Sequence, residues 1–139
     1  MSSDDGFLSM GGGVSEAIER AAGPSFAREA RRFAPVRPGR AVVTTAGDLE
    51  ARFVFHGITL GRAERRFVMP SRDLINEILA SCLYHADSLL VKSIAFPLLG
   101  TGSGGFSEEI CLDTMFRFLA RALHRGGTSL SEASIILYP

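Results

Sequence analysis

Apolar positions along the chain fall into two rhythms, one helical and one extended. Val14, Ala17, Ile18, Ala21 and Ala22 recur every three or four positions and predict an amphipathic helix from Val14, with Ser15 close to its N-cap. Gly23-Pro24 stops it. Phe26, Ala30 and Phe33 predict a second helix over 25–33, closed by Pro35 and Pro38. The β-branched run 41–45 between Gly39 and Gly47, and the apolar run 52–56 bounded by Gly57, predict two strands. Residues 61–69 carry four charges and read as an exposed loop. Pro70-Ser71 opens the longest helix, with Leu74, Ile75, Ile78, Leu79, Cys82 and Leu83 on its buried stripe. The near-continuous apolar run 93–99 fits a central parallel strand covered on both faces, with Pro97 at its end or at a bulge. Ser107-Glu108-Glu109 starts a helix that Gly126-Gly127 end, and 133–138 reads as a last strand. Residues 1–13 read as a polar, glycine-rich segment in which no strand is picked out. Strands that alternate with helices imply βαβ crossovers and a mixed, mainly parallel sheet between two helical layers.

The 139 residues, 46% of them hydrophobic, suit one globular domain over 1–139. Fifteen basic residues balance fifteen acidic ones. No polybasic run breaks that balance, so the footprint of a dedicated nucleic-acid binder is missing. Cys82 and Cys111 each sit in an apolar helical pattern without a Cys or His partner at metal-ligand spacing. They read as reduced core residues, no metal or cofactor is called for, and a cytoplasmic protein is expected. No apolar run approaches the roughly 20 residues that span a bilayer, and no signal-peptide pattern opens the chain.

The chemistry concentrates in two glycine-rich loops, Gly11-Gly12-Gly13 and Gly100-Thr-Gly-Ser-Gly-Gly105, each leading into a helix. Glycine lets a ligand approach the backbone closely. A helix N-terminus adds unpaired N–H donors and a dipole that favours anions. Two such loops in one α/β chain suggest a diphosphate gripped from both sides; the competing reading is a pair of tight turns. The second loop also matches G-x-G-x-x-G, but no acidic residue ends the next strand, which disfavours a dinucleotide dehydrogenase. No G-K-[ST] follows either loop, which disfavours a P-loop ATPase.

These residues resemble the macro-domain family. The segment 11–23 is similar to its first ligand loop and helix, Phe53-Val54-Phe55-His56 to a strand ending in histidine, and 93–97 with 100–106 to its central strand and second loop. The resemblance implies binding of ADP-ribose or a related nucleotide, free or attached to a protein. It implies that Gly11, Gly12, Gly13 and Val14 line the diphosphate and distal ribose. Thr101, Gly102, Ser103, Gly104, Gly105 and Phe106 then wrap the other side, with Phe106 on the distal ribose. Tyr138 sits where an aromatic often stacks on adenine; an ordinary strand tyrosine and, for Phe106, a core aromatic are the plain alternatives.

Two departures bear on catalysis. Where members commonly carry Asn-Ala-Ala-Asn, this chain has Ser2-Ser3-Asp4-Asp5, and Asp5 falls at the ribose-contacting position. Where one hydrolase branch carries Asp after the glycine run, this chain has Ser15. The alternative to a binding module is an ADP-ribosyl-ester or O-acetyl-ADP-ribose hydrolase on the same scaffold, with Asp5 the one weak catalytic candidate. Asp4 and Asp5 read equally well as a solvated turn. His56 reads as a structural, hydrogen-bonded residue, and Glu108 and Glu109 as helix-dipole partners. The family's leading strands fall before Met1, so a reduced sheet with an exposed edge, open to self-association, is expected.

Overall fold

A computed structural model describes residues 1–138. Its elements are β1 (Ser2–Asp5), α1 (Gly13–Ala22), α2 (Pro24–Arg31), β2 (Ala41–Thr45), β3 (Phe53–Ala63), β4 (Arg66–Val68), α3 (Arg72–Ser88), β5 (Ser93–Phe96), α4 (Glu108–Arg125) and β6 (Glu132–Ile135). Strand β3 is the hub. It pairs in parallel with β1 and antiparallel with β2, and it folds back antiparallel into β4. Strands β5 and β6 pair in parallel. The Met1 amine donates to Ala95 O (2.7 Å) and Gly100 N–H to Ser3 Oγ (3.2 Å), which seats β1 beside β5. The strands thus form a four-stranded sheet, β1-β3-β2 with β4 on β3, and a two-stranded sheet, β5-β6, which those two bonds set alongside β1 in the spatial order β6-β5-β1-β3-β2.

Alternation along β3 feeds two cores. Phe55 joins the larger core with α3 and α4, built from Ile75, Ile78, Leu79, Phe96, Leu99 and Met115 among others. Val54 points the other way, to Met10, Ala22, Phe26, Ala27, Ala30 and Ala46 from α1, α2 and their flanking loops. The molecule therefore has three layers. Gly57, expected to end the strand, lies inside it: a Cβ there would stand 2.8 Å from Ile78 Cγ2 and would also clash with the Met1 side chain. Close packing of α3, not a turn, requires the glycine.

Three expectations need correction. Residues 2–5 are strand β1, not loop; their inward positions are the polar Ser2 and Asp4, so no apolar alternation marked them. Residues 61–68 form a hairpin rather than a loop, with Gly61 opposite Val68, Arg62 opposite Phe67 and Ala63 opposite Arg66. Strand β5 is covered on one face only: Ile94 and Phe96 are buried, whereas Ser93 and Ala95 are exposed.

The β2 edge is stopped by side chains. Ala41 N–H donates to Ser81 Oγ (3.0 Å), and His85 Nε2 meets Ala41 O (3.0 Å). Thr45 N–H donates to Glu29 Oε1 (3.0 Å), and the Thr45 hydroxyl bonds the same carboxylate. Those two bonds hold the Glu29 carboxyl below its ordinary pKa. Cys82 and Cys111 are free and buried, and burial pushes the Cys82 thiol up to about 12.

Candidate functional site

Strands β1 and β3 run parallel, as do β5 and β6, and the Met1–Ala95 and Ser3–Gly100 bonds align the two pairs, so their C-terminal ends lie on one rim. Ligands of open α/β sheets bind at such a rim. Loop 1 (residues 6–12) leaves β1 and enters α1. Loop 2 (residues 97–107) leaves β5 and enters α4. Both sets of glycines proposed from sequence thus lie on loops that leave this rim.

Loop 1 is held from below. Leu8 and Met10 are buried and both take a φ of 54°, a left-handed conformation that costs a non-glycine residue roughly 1–2 kcal/mol. Their burial in the core offsets that cost. The Asp5 carboxylate accepts from Phe7 N–H (2.8 Å), Ser9 N–H (3.4 Å) and the Ser9 hydroxyl. Ser15 is buried and its Oγ donates to Gly12 O (2.9 Å). Both side chains thus hold loop 1 in shape. Asp5→Ala is expected to cost about 1–2 kcal/mol in urea unfolding, for loss of bonds to a charged acceptor.

The loops keep their donors open. Ser71 and Ser107 cap α3 and α4 by accepting from Leu74 N–H (3.2 Å) and Ile110 N–H (3.3 Å). Helix α1 has no side-chain cap at Gly12. Among the described residues, the N–H groups of residues 10–15 find no partner in the chain. In loop 2, Gly105 N–H bonds Gly102 O and Phe106 N–H bonds Gly100 O, both at 3.0 Å, while the N–H groups of residues 101–104 stay unpaired. Two rows of free amides face one rim, an arrangement that suits an anion.

The glycines divide by cause. Gly100 (φ 73°) and Gly104 are locked by packing: a Cβ on either would stand 2.7 Å from Pro70. Gly13 (φ 59°) and Gly105 (φ 64°) need the left-handed region. Gly12 is extended, and a Cβ on Gly12 or Gly102 would meet no protein atom within 4 Å; on Gly11 it would make only an ordinary contact. Neither backbone conformation nor packing demands glycine at these three positions.

The remaining predicted residues are more scattered. Val14 is exposed on the first turn of α1. Thr101 is half-buried and Ser103 exposed on loop 2. Phe106 is half-buried and packs against the larger core. Tyr138 lies past β6 and is 92% exposed. His56 is fully buried, as expected of a structural residue: Nδ1 meets Asp4 Oδ2 (3.0 Å), Nε2 meets Thr44 Oγ1 (2.9 Å), and the ring stacks on Phe26 at 5.2 Å. Asp4, which the sequence offers as a ribose or water contact or as a solvated turn, is instead buried against His56.

The chain belongs to the Macro domain family, whose profile matches residues 4–115. A protein of Mycobacterium tuberculosis described as uncharacterized is 40% identical over 114 residues, which cover 82% of this chain and 30% of that protein. One from Sulfolobus acidocaldarius, described in the same way, is 37% identical over 117 residues, 81% of this chain and 62% of that protein. The chain therefore spans less than two thirds of these curated relatives. Among solved structures, the Trypanosoma brucei macrodomain in complex with ADP-ribose superposes at a TM-score of 0.87 with 25% identity, over 99% of this chain and 56% of that one. The Oceanobacillus iheyensis macrodomain with ADP gives 0.85 at 21% identity, over 99% and 74%. Among the described residues no helix is long and apolar enough to cross a membrane.

Proposed function

We propose that this domain binds ADP-ribose, free or attached to another molecule, across the rim of its sheet. Adenine lies toward Tyr138, the diphosphate between loops 1 and 2, and the distal ribose beside Asp5 and loop 1. The observation that carries this reading is the trio Gly11, Gly12 and Gly102, glycines that the fold itself does not need. Close approach of a ligand to the backbone accounts for them, and the free amides beside them supply donors for its phosphates. The ADP-ribose complex of the T. brucei relative supports the choice of ligand.

Thermal shift tests it. At equal concentration ADP-ribose and ADP are expected to stabilise the domain more than adenosine, and ADP-ribose at 100 times its dissociation constant should add about 2.7 kcal/mol. Equal shifts for adenosine and ADP-ribose would refute a diphosphate cradle.

Binding is favoured over turnover by the state of the side chains at the ribose end. Hydrolysis needs a group to activate water. The Asp5 carboxylate is occupied by Phe7 and Ser9, and the Ser15 hydroxyl is turned to Gly12 O. Single-turnover assays on Asp- or Glu-linked ADP-ribose should show little or no release. Robust turnover would replace the binding-module reading with the hydrolase one.

A further inference from the structure

The chain is neutral overall, but its charge is not evenly spread. The hairpin 61–68 carries Arg62, Arg65 and Arg66 against one acid, Glu64, and all four are exposed. Arg37 stands at the same place: Val36 N–H donates to Gly6 O (2.7 Å), and Pro38 packs against Gly61. Among the described residues none of these arginines makes an ion pair; the paired ones, Arg20, Arg31, Arg72 and Arg117, lie elsewhere. Two large aromatic side chains are left in water beside them. Phe67 is 60% exposed and is the cross-strand partner of Arg62; Phe7 is 67% exposed and follows Gly6, against which Gly61 packs.

The place of this hairpin in the strand order gives it meaning. Along the rim come Tyr138 after β6, loop 2 after β5, Asp5 and loop 1 after β1, and then the hairpin at the end of β3. On the reading given above, from which this inference takes its placement of the nucleotide, a group joined to the distal ribose leaves over the hairpin.

We propose that the β3–β4 hairpin, with Arg37 and Phe7, is a docking arm for single-stranded nucleic acid, and that the ADP-ribosyl group read by this domain is one carried on such a strand. Arginines neutralise successive backbone phosphates, and exposed phenyl rings offer faces on which unpaired bases stack. An acidic peptide would satisfy the arginines and leave both rings without a role, so the pairing of Arg62 with Phe67 favours nucleic acid. Whole-chain charge excluded a dedicated nucleic-acid binder because acids elsewhere cancel this patch.

Fluorescence anisotropy with a labelled single-stranded oligothymidylate and, in parallel, an oligoglutamate of equal length tests the arm without ADP-ribose. The oligonucleotide should bind in about 50 mM salt, and the triple variant Arg62→Glu/Arg65→Glu/Arg66→Glu should weaken it at least about tenfold. The salt slope should fall by about 2, the loss of three single-strand phosphate contacts. Phe67→Ala should weaken binding by about tenfold through lost stacking. Calorimetric affinity for free ADP-ribose should stay within about twofold in both variants, because none of these residues lies in the loops. No oligonucleotide binding, binding indifferent to the variants, or tighter binding of oligoglutamate would overturn the proposal. Oligonucleotide binding in a wild type that fails to bind ADP-ribose would uphold the arm and overturn the nucleotide placement.

Discussion

Asp4→Ala is expected to destabilise the domain by about 1–3 kcal/mol, the usual cost of leaving a buried polar group without its hydrogen-bond partner. The Asp4 and His56 side chains are both 0% exposed and meet at 3.0 Å. Alanine at position 4 would leave His56 Nδ1 buried without a partner and remove the buried side-chain contact between β1 and β3, leaving the Ser3–Thr59 hydroxyl bond to tie them side chain to side chain. For a domain of this size the loss corresponds to roughly 3–15 °C in Tm. Chemical denaturation of the single variant and of Asp4→Leu/His56→Phe separates the causes. Similar-sized apolar replacements of a buried pair often recover stability, so the double variant should be more stable than Asp4→Ala. A single-variant loss below about 1 kcal/mol would show that the pair does not hold the sheet.

Gly102→Val should abolish the stabilisation by ADP-ribose while leaving the unliganded domain almost unchanged. The free space above Gly102 and its unstrained backbone place valine there at a cost within about 0.5 kcal/mol, as for other surface changes. The same space is where the proposed diphosphate lies, and a branched side chain would keep the phosphates from the amides of residues 101–104. The expected result is loss of the roughly 2.7 kcal/mol shift at the concentration that gives it in the wild type. Gly104 would be a poor choice for this test, because Gly100 O and Pro70 already fill its side-chain position and the loop itself would break. An undiminished shift in Gly102→Val would remove loop 2 from the site.

What the sequence made legible follows the physics of each element. Helices α3 and α4 announced themselves by three-four spacing, because each buries one apolar stripe; α1 has the same spacing, but Val14, Ala17 and Ala21 of its predicted apolar face are exposed and it buries Ser15 and Ala22 instead. Strand β1 did not, because its inward residues are Ser2 and Asp4 and its stability comes from partners 52 or more positions away. The hairpin hid behind its charges: exposed on a rim, it needs no apolar alternation. The glycine loops could be found by composition and by resemblance to macro domains. Sorting Gly100 and Gly104, which serve packing, from Gly11, Gly12 and Gly102, which do not, required the position of Pro70. The work of Asp5 was equally invisible, since Ser9 lies in its own loop and only the backbone path turns that hydroxyl onto the carboxylate.

The stoppers on strand β2 make its safety conditional on assembly. Ala41-Val-Val-Thr-Thr45 is a short β-branched, uncharged stretch of the kind that pairs readily between chains. Its outward groups at the two ends are occupied, Ala41 by Ser81 and His85 from one helix and Thr45 N–H by Glu29 from another, on opposite layers, so that Val43 between them is flanked on both sides. Until both helices dock, the stretch is bare. Association through β2 thus competes with folding itself: it belongs to partly folded chains and scales with their concentration during refolding or synthesis. The finished fold narrows that edge to its middle residue, Val43.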